Sequence, residues 1–167
     1  MQKRINWLYL TLVFCLLCFS CDSKAVYDVY KPVPNSWNKD TVASFNFKAP
    51  DTINNYNVYV NLRNNSDYKF SNLFLIVELN YPNGKIIKDT LEYKMAAPNG
   101  ELLGTGFSDV KENKLWYRGY SNDFKFTEEG EYTVNIQHAM RNNGEANGIV
   151  DLQGITDIGF RVEITQK

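Results

Sequence analysis

After residue 40 segment upon segment places its apolar side chains at every second position, and no stretch sustains a helical stripe of period 3.6. Tyr56, Val58, Val60 and Leu62 alternate with Asn57, Tyr59, Asn61 and Arg63. Ala43, Phe45 and Phe47 form one such row. Tyr132, Val134, Ile136 and His138 form another, and Ile158, Phe160, Val162 and Ile164 a third. Period two puts one side of a strand in the core and the other in water. Leu73-Phe-Leu-Ile-Val77 is apolar on both sides, the expected pattern of a central strand. Tyr81-Pro82-Asn83-Gly84 has Pro second and Gly fourth, a turn that makes 72–93 a hairpin. Phe124 and Phe126 read as the start of a further short strand. About seven or eight short strands separated by Asn, Gly and Pro specify an all-β fold. The expected form is an antiparallel β-sandwich, immunoglobulin-like or jelly-roll-like, over residues 41–167.

One local motif supports a sandwich. Glu128-Glu-Gly-Glu-Tyr-Thr-Val134 resembles the tyrosine corner of immunoglobulin-like domains. Tyr132 would bond back to the backbone, and Val134 stands where such domains carry a cysteine.

The start of the chain is an address. Lys3 and Arg4 precede an uncharged run, Ile5 to Phe19, of about 15 residues. A membrane span needs roughly 20, so the run fits a secretory leader. Ser20-Cys21 then resembles the bacterial lipoprotein signal, in which the leader (1–20) is removed and Cys21 becomes the lipidated N-terminus. The usual Leu three positions earlier is here Cys18. Cys15 and Cys18 follow the bulky Phe14 and Leu17, which makes Cys21 the acceptor of choice. All three cysteines lie at or before position 21, so the exported domain can form no internal disulfide. Residues 21–40, with Pro32 and Pro34, read as lipidated cysteine and tether. Tyr27, Tyr30 and Trp37 suggest that its far half lies against the domain. No strongly acidic stretch follows Cys21, which points to the inner leaflet of an outer membrane, facing the periplasm.

Chemistry is sparsely represented. The net charge is −1 and no Lys/Arg block occurs, which excludes the electrostatic footprint of a nucleic-acid binder. The one histidine, His138, has no cysteine or histidine partner for a metal. No G-x-S-x-G marks a nucleophile. His138 therefore reads as a hydrogen-bonded residue at the rim of the core. No catalytic residue, cofactor or small-molecule substrate is expected. Two stretches, 95–123 and 139–155, resist the strand pattern. Long connections often carry function. The aromatics of the first stretch either cap an open end of the sandwich or present a binding surface. In the second case Trp116, Tyr117 and Tyr120 are the candidate interaction residues.

Asp40-Thr41-Val42, Asp51-Thr52-Ile53 and Asp89-Thr90-Leu91 resemble the Asp-Ser/Thr-apolar acceptor for O-glycosylation of exported proteins in Bacteroidota. Thr41, Thr52 and Thr90 are the candidate positions. The same triplets also suit strand entry, since β-branched residues favour strands.

A set of segments, in order along the chain, resembles the GldH gliding-motility lipoproteins of Bacteroidota. The set runs from Cys21-Asp22-Ser23 and Val26-Tyr27-Asp28 to Trp37-Asn38-Lys39-Asp40 and Asn61-Leu62-Arg63-Asn64. It continues with Tyr81-Pro82-Asn83-Gly84, Lys111-Glu-Asn-Lys-Leu-Trp116, Ile136-Gln-His-Ala-Met-Arg141 and Gly154-Ile-Thr-Asp-Ile-Gly159. The resemblance implies an outer-membrane lipoprotein needed for gliding over surfaces. It would work with other envelope proteins of gliding and type IX secretion, without catalysis. The alternative from a different class is a lipid-anchored carbohydrate-binding module, which would use an aromatic platform on the sandwich.

Overall fold

The computed structural model describes residues 24–106, 109–119 and 123–165. Ten strands follow one another: β1 (Ala25–Pro32), β2 (Ser36–Asn38), β3 (Ala43–Lys48), β4 (Tyr56–Asn64), β5 (Asn72–Asn80), β6 (Ile86–Lys94), β7 (Lys111–Arg118), β8 (Glu131–His138), β9 (Asp151–Gln153) and β10 (Ile155–Ile164). Two four-stranded sheets face each other, ordered β1-β10-β4-β7 and β3-β8-β5-β6, and β2 pairs with β9. Every pairing is antiparallel.

The order follows from one folded ribbon. The first long strand pairs with the last (β1 with β10), the second with the second-last (β3 with β8), then β4 with β7 and β5 with β6. Rolling this ribbon joins β10 to β4 in one sheet and β5 to β8 in the other. That is the jelly roll, which settles the choice left open between it and an immunoglobulin-like order. The expected hairpin is present as β5 and β6, in continuous register from Asn72 opposite Lys94 to Asn80 opposite Ile86.

The core lies between the sheets. Val58, Val60 and Leu62 of β4 meet Val134 and Ile136 of β8, Leu75 and Val77 of β5, and Phe160 and Val162 of β10 within one cluster. Each fully buried side chain of this kind contributes roughly 1.5–3 kcal/mol relative to exposure. One end is closed by rings. Phe126 lies 5.1–5.5 Å from Phe47, Tyr56, Phe124 and Tyr132, centroid to centroid. At the other end Trp37 is wholly buried and its indole N–H donates to the Thr41 carbonyl at 2.9 Å.

Four sequence expectations change. First, residues 25–38 are not a tether. β1 is a sheet edge whose Tyr27 packs on Phe47 and Phe160, and β2 seats Trp37 in the core. Pro32 is tolerated because it closes an edge strand, where an N–H can be spared. The domain therefore begins at about residue 25 and not at 41. Second, Phe124 and Phe126 form no strand. The two rings plug the aromatic end from an irregular segment, and the Tyr56 N–H bonds to it at the Phe124 carbonyl. Third, the 95–123 stretch contains the eight-residue strand β7. Fourth, the side of β4 expected to be wet is largely dry, because Tyr59 and Asn61 are buried there. Their cover defines the most distinctive surface of the molecule.

Candidate functional site

The outer face of the β1-β10-β4-β7 sheet carries long polar side chains and rings. Strand alternation and register line up Asp28 and Tyr30 of β1, Arg161 and Glu163 of β10, Tyr59, Asn61 and Arg63 of β4, and Glu112, Lys114 and Trp116 of β7. At the centre of this face is Gly159. A Cβ there would come within 2.9 Å of the Tyr30 ring, so the absence of a side chain is what lets Tyr30 lie across the sheet.

The charges pair along and across strands. Arg161 Nε donates to Glu163 Oε1 at 2.6 Å, its Nη1 pairs with Asp28, and Lys114 Nζ donates to the same Glu163 oxygen at 2.6 Å. Arg63 Nε donates to Glu112 Oε2 at 2.9 Å, and the Tyr30 hydroxyl donates to Glu112 Oε1 at 3.0 Å. The cations also sit on rings. Lys114 Nζ is 4.1 Å from the Tyr59 centroid, and the Arg63 guanidinium is 4.2 Å from that of Tyr30. Burial pushes the Glu163 carboxyl up, but hydrogen bonds from Lys114 and Arg161, and their charges, outweigh it and hold it below its ordinary value. Burial, followed by the Glu112 carboxylate, pushes the Tyr30 phenol well above its ordinary value.

Its carboxylates are engaged by cations and hydroxyls, and the face presents fixed donors, acceptors and rings to its surroundings. Trp116, 40% exposed at its β7 edge, is the one exposed aromatic side chain among the described residues. Aromatic anchors at such positions bury large area at small entropic cost. Among the described residues no group of His, Cys, Asp and Glu is arranged to hold a metal ion.

The three aromatic candidates separate. Trp116 faces outward, opposite Tyr59. Tyr117 points the other way and is buried, its hydroxyl donating to Asp89 Oδ2 at 2.9 Å across to β6. It is a core residue and offers no binding surface. The irregularity in pairing between Val58 and Tyr59 places Arg118 and Trp116 opposite those neighbours, and Arg118 joins Tyr117 on Asp89. Tyr120 lies outside the described residues, as does Cys21. Of the glycosylation candidates, Thr41 is exposed in the connection before β3, Thr52 is half-buried in the β3–β4 loop, and Thr90 is exposed on the edge strand β6.

His138 is buried where β8 passes Trp37. Its Nε2 is 3.0 Å from the Trp37 carbonyl, and its Nδ1 accepts the Met140 N–H at 3.4 Å. This arrangement fixes a neutral ring with Nε2 as donor. Both nitrogens are used within the fold, and the side chain is structural.

Comparison with known proteins places this architecture. The family model described as GldH lipoprotein matches residues 25–162, which is β1 through nearly all of β10. The chain belongs to the GldH lipoprotein family. A gliding motility lipoprotein GldH homolog of Christiangramia forsetii is 52% identical over 152 residues, covering 90% of this chain and 91% of the relative. The gliding motility lipoprotein GldH of Flavobacterium johnsoniae is 48% identical over 160 residues, covering 96% and 98%. Among solved structures, the VP2 subviral particle protein of infectious bursal disease virus is similar with a TM-score of 0.37 and 15% identity. That likeness covers 86% of this chain and 34% of the viral one. The GldH match beginning at Ala25 agrees with the fold, in which β1 is an integral strand.

Sequence reasoning missed the charged outer face. The signal was available only in part: Gly159 interrupts an otherwise regular apolar strand, and Arg161 and Glu163 share its side of β10. Which residues of β1, β4 and β7 lie opposite them depends on the ribbon register, which alternation in a single strand does not fix.

Proposed function

We propose that this chain is an outer-membrane lipoprotein of the gliding-motility machinery, associated with type IX secretion, that acts by protein contact and not by catalysis. Membership of the GldH family across residues 25–162 carries the reading. The proposed anchor is a lipid on Cys21, four positions before the first strand, with the domain facing the periplasm. More than one acyl chain holds a protein stably at a bilayer, as a single chain does not.

The proposed docking surface for other envelope proteins of the machinery is the outer face of the β1-β10-β4-β7 sheet, with Trp116 as its aromatic anchor. Its fixed ion pairs supply complementarity and register more than raw affinity. For the carbohydrate-binding alternative, Tyr117 supplies no exposed ring, since it is in the core. Thr41 and Thr90, both exposed, and the half-buried Thr52 are the proposed positions for O-glycosylation, and a mass increase of the mature protein purified from its host is the expected sign.

The test is deletion of the gene in its host, with colony spreading and secretion of a type IX reporter read in the same cultures. Loss of spreading, restored by the wild-type copy, is the expected result. Unchanged spreading and secretion would contradict the reading.

A further inference from the structure

The first strand starts close behind the acyl-bearing cysteine, and this fixes which end of the sandwich meets the membrane. From Cys21 to Lys24 is three Cα steps, which span about 11 Å at most even when fully extended. The Lys24 carbonyl accepts the N–H of Ile164, and the next N–H of the chain, Thr165, donates to the Asn55 carbonyl. Lys24 and Asn55 thus flank the end of β10 from both sides, two strand spacings or about 10 Å apart. The β3–β4 loop is therefore beside the point where the lipid is attached.

That loop is built to hold an apolar side chain outward. Asp51 Oδ1 accepts the N–H groups of Ile53 and Asn54 at 2.8 and 2.7 Å. Asp51 Oδ2 accepts the Tyr56 hydroxyl at 2.7 Å and the Asn54 side-chain amide at 2.8 Å. With its oxygens turned into the loop, Asp51 braces the turn. Ile53, at the turn, is 77% exposed, the most exposed large apolar residue among the described ones. Val26, at the irregular first pairing of β1 with β10, is exposed on the other flank of the anchor. A single exposed Ile on a soluble surface calls for no explanation. Two of them flanking a short lipid leash face a particular neighbour, the acyl boundary of the leaflet that holds the lipid.

We propose that Ile53 and Val26 rest in the headgroup–acyl boundary of that leaflet and hold the sandwich end-on, with the aromatic end at the membrane and the Trp37 end furthest from it. The inference rests on lipidation of Cys21. The anchor brings both side chains to the surface, so their own contribution need only orient the domain, not capture it. End-on orientation stands the β1-β10-β4-β7 face upright, where a partner can approach it from the side.

The test uses the acylated protein in vesicles of phosphatidylethanolamine with phosphatidylglycerol. Cys21 is the only cysteine after residue 20 and its thiol is consumed by acylation, so Ile53→Cys, Val26→Cys and Asn143→Cys each provide one site for a nitroxide label. Asn143 lies in the exposed connection after β8, beyond the far end. Collision with dissolved oxygen and with a water-soluble nickel chelate reports depth. The expected result is loss of nickel collision at 53 and 26, with oxygen collision retained, while 143 stays fully open to nickel. Labels at 53 and 26 as open to nickel as 143, on protein that floats with the vesicles, would overturn the orientation and leave lipidation intact. Protein that does not float would overturn the lipidation reading and the orientation with it.

Discussion

The hydroxyl of Tyr132 accepts the backbone N–H of Glu128 and donates to the Glu128 carbonyl, both at 3.2 Å. The ring is fully buried, stacks on Phe47 and meets Phe126 edge to face, so one side chain ties an irregular connection to the aromatic end of the core. Tyr132→Phe keeps the ring and removes both bonds. A loss of about 1–3 kcal/mol in urea unfolding is expected, from backbone groups left without their partner. An unchanged midpoint would show that the corner is ornamental.

Trp116 and Tyr117 are adjacent in sequence and opposite in consequence. Tyr117→Ala empties a core position and severs the bond to Asp89, for a loss of roughly 3–5 kcal/mol. Trp116→Ala removes a part-exposed ring and should cost under about 1 kcal/mol. If the outer face docks a partner, Trp116→Ala nevertheless slows colony spreading in a complemented deletion strain. Thermal unfolding of both variants, set beside spreading, separates stability from contact.

Gly154 joins β9 to β10 with φ +83°, and a Cβ there would lie 2.1 Å from the Tyr68 backbone nitrogen. Gly154→Ala meets both a strained backbone and a backbone clash. A destabilisation of more than about 1 kcal/mol is expected, read as a fall in Tm. Gly144, also at positive φ, has open space around its Cβ position and is the milder control.

Burial holds the His138 imidazole below its ordinary value, against the opposing pull of the Trp37 carbonyl and the Asp151 charge, with Lys39 adding to the depression. The unfolded chain, titrating near 6.5, takes up the proton first as pH falls. Stability from this group is complete above that value and is lost as pH drops through it toward the folded value. Wild type should lose Tm between pH 8 and pH 5, and His138→Asn should lose less over the same interval. Equal slopes would mean that the imidazole does not report on folding.

The legible parts of the fold were those that a strand writes on its own. β5 with β6, the inward rows of β8 and β10, the tyrosine corner and the structural role of His138 all follow from alternation, turn residues and single side chains. β1 was hidden because an edge strand needs only half a pattern, and Pro32 and Pro34 read as tether chemistry. β7 was hidden because the polar Asn113 shares the inward side with Leu115 and Tyr117, while the large apolar Trp116 stands on the outer side. Phe124 and Phe126 misled in the opposite sense, since two rings spaced by two residues look the same in a strand and in a plug. Of the candidate site, Trp116 was found from its aromatic character. The ion-paired face around it was not, because its members come from four strands whose register only the rolled ribbon sets.

The central claim is that a lipid on Cys21 places this jelly roll where gliding needs it. It is tested most directly by complementing a deletion strain with Cys21→Ala behind a cleavable leader, so that the domain is exported but soluble. Colony spreading is measured against a wild-type complement at matched protein level. The account predicts that wild type restores spreading and Cys21→Ala does not. Full spreading with the soluble domain would contradict it.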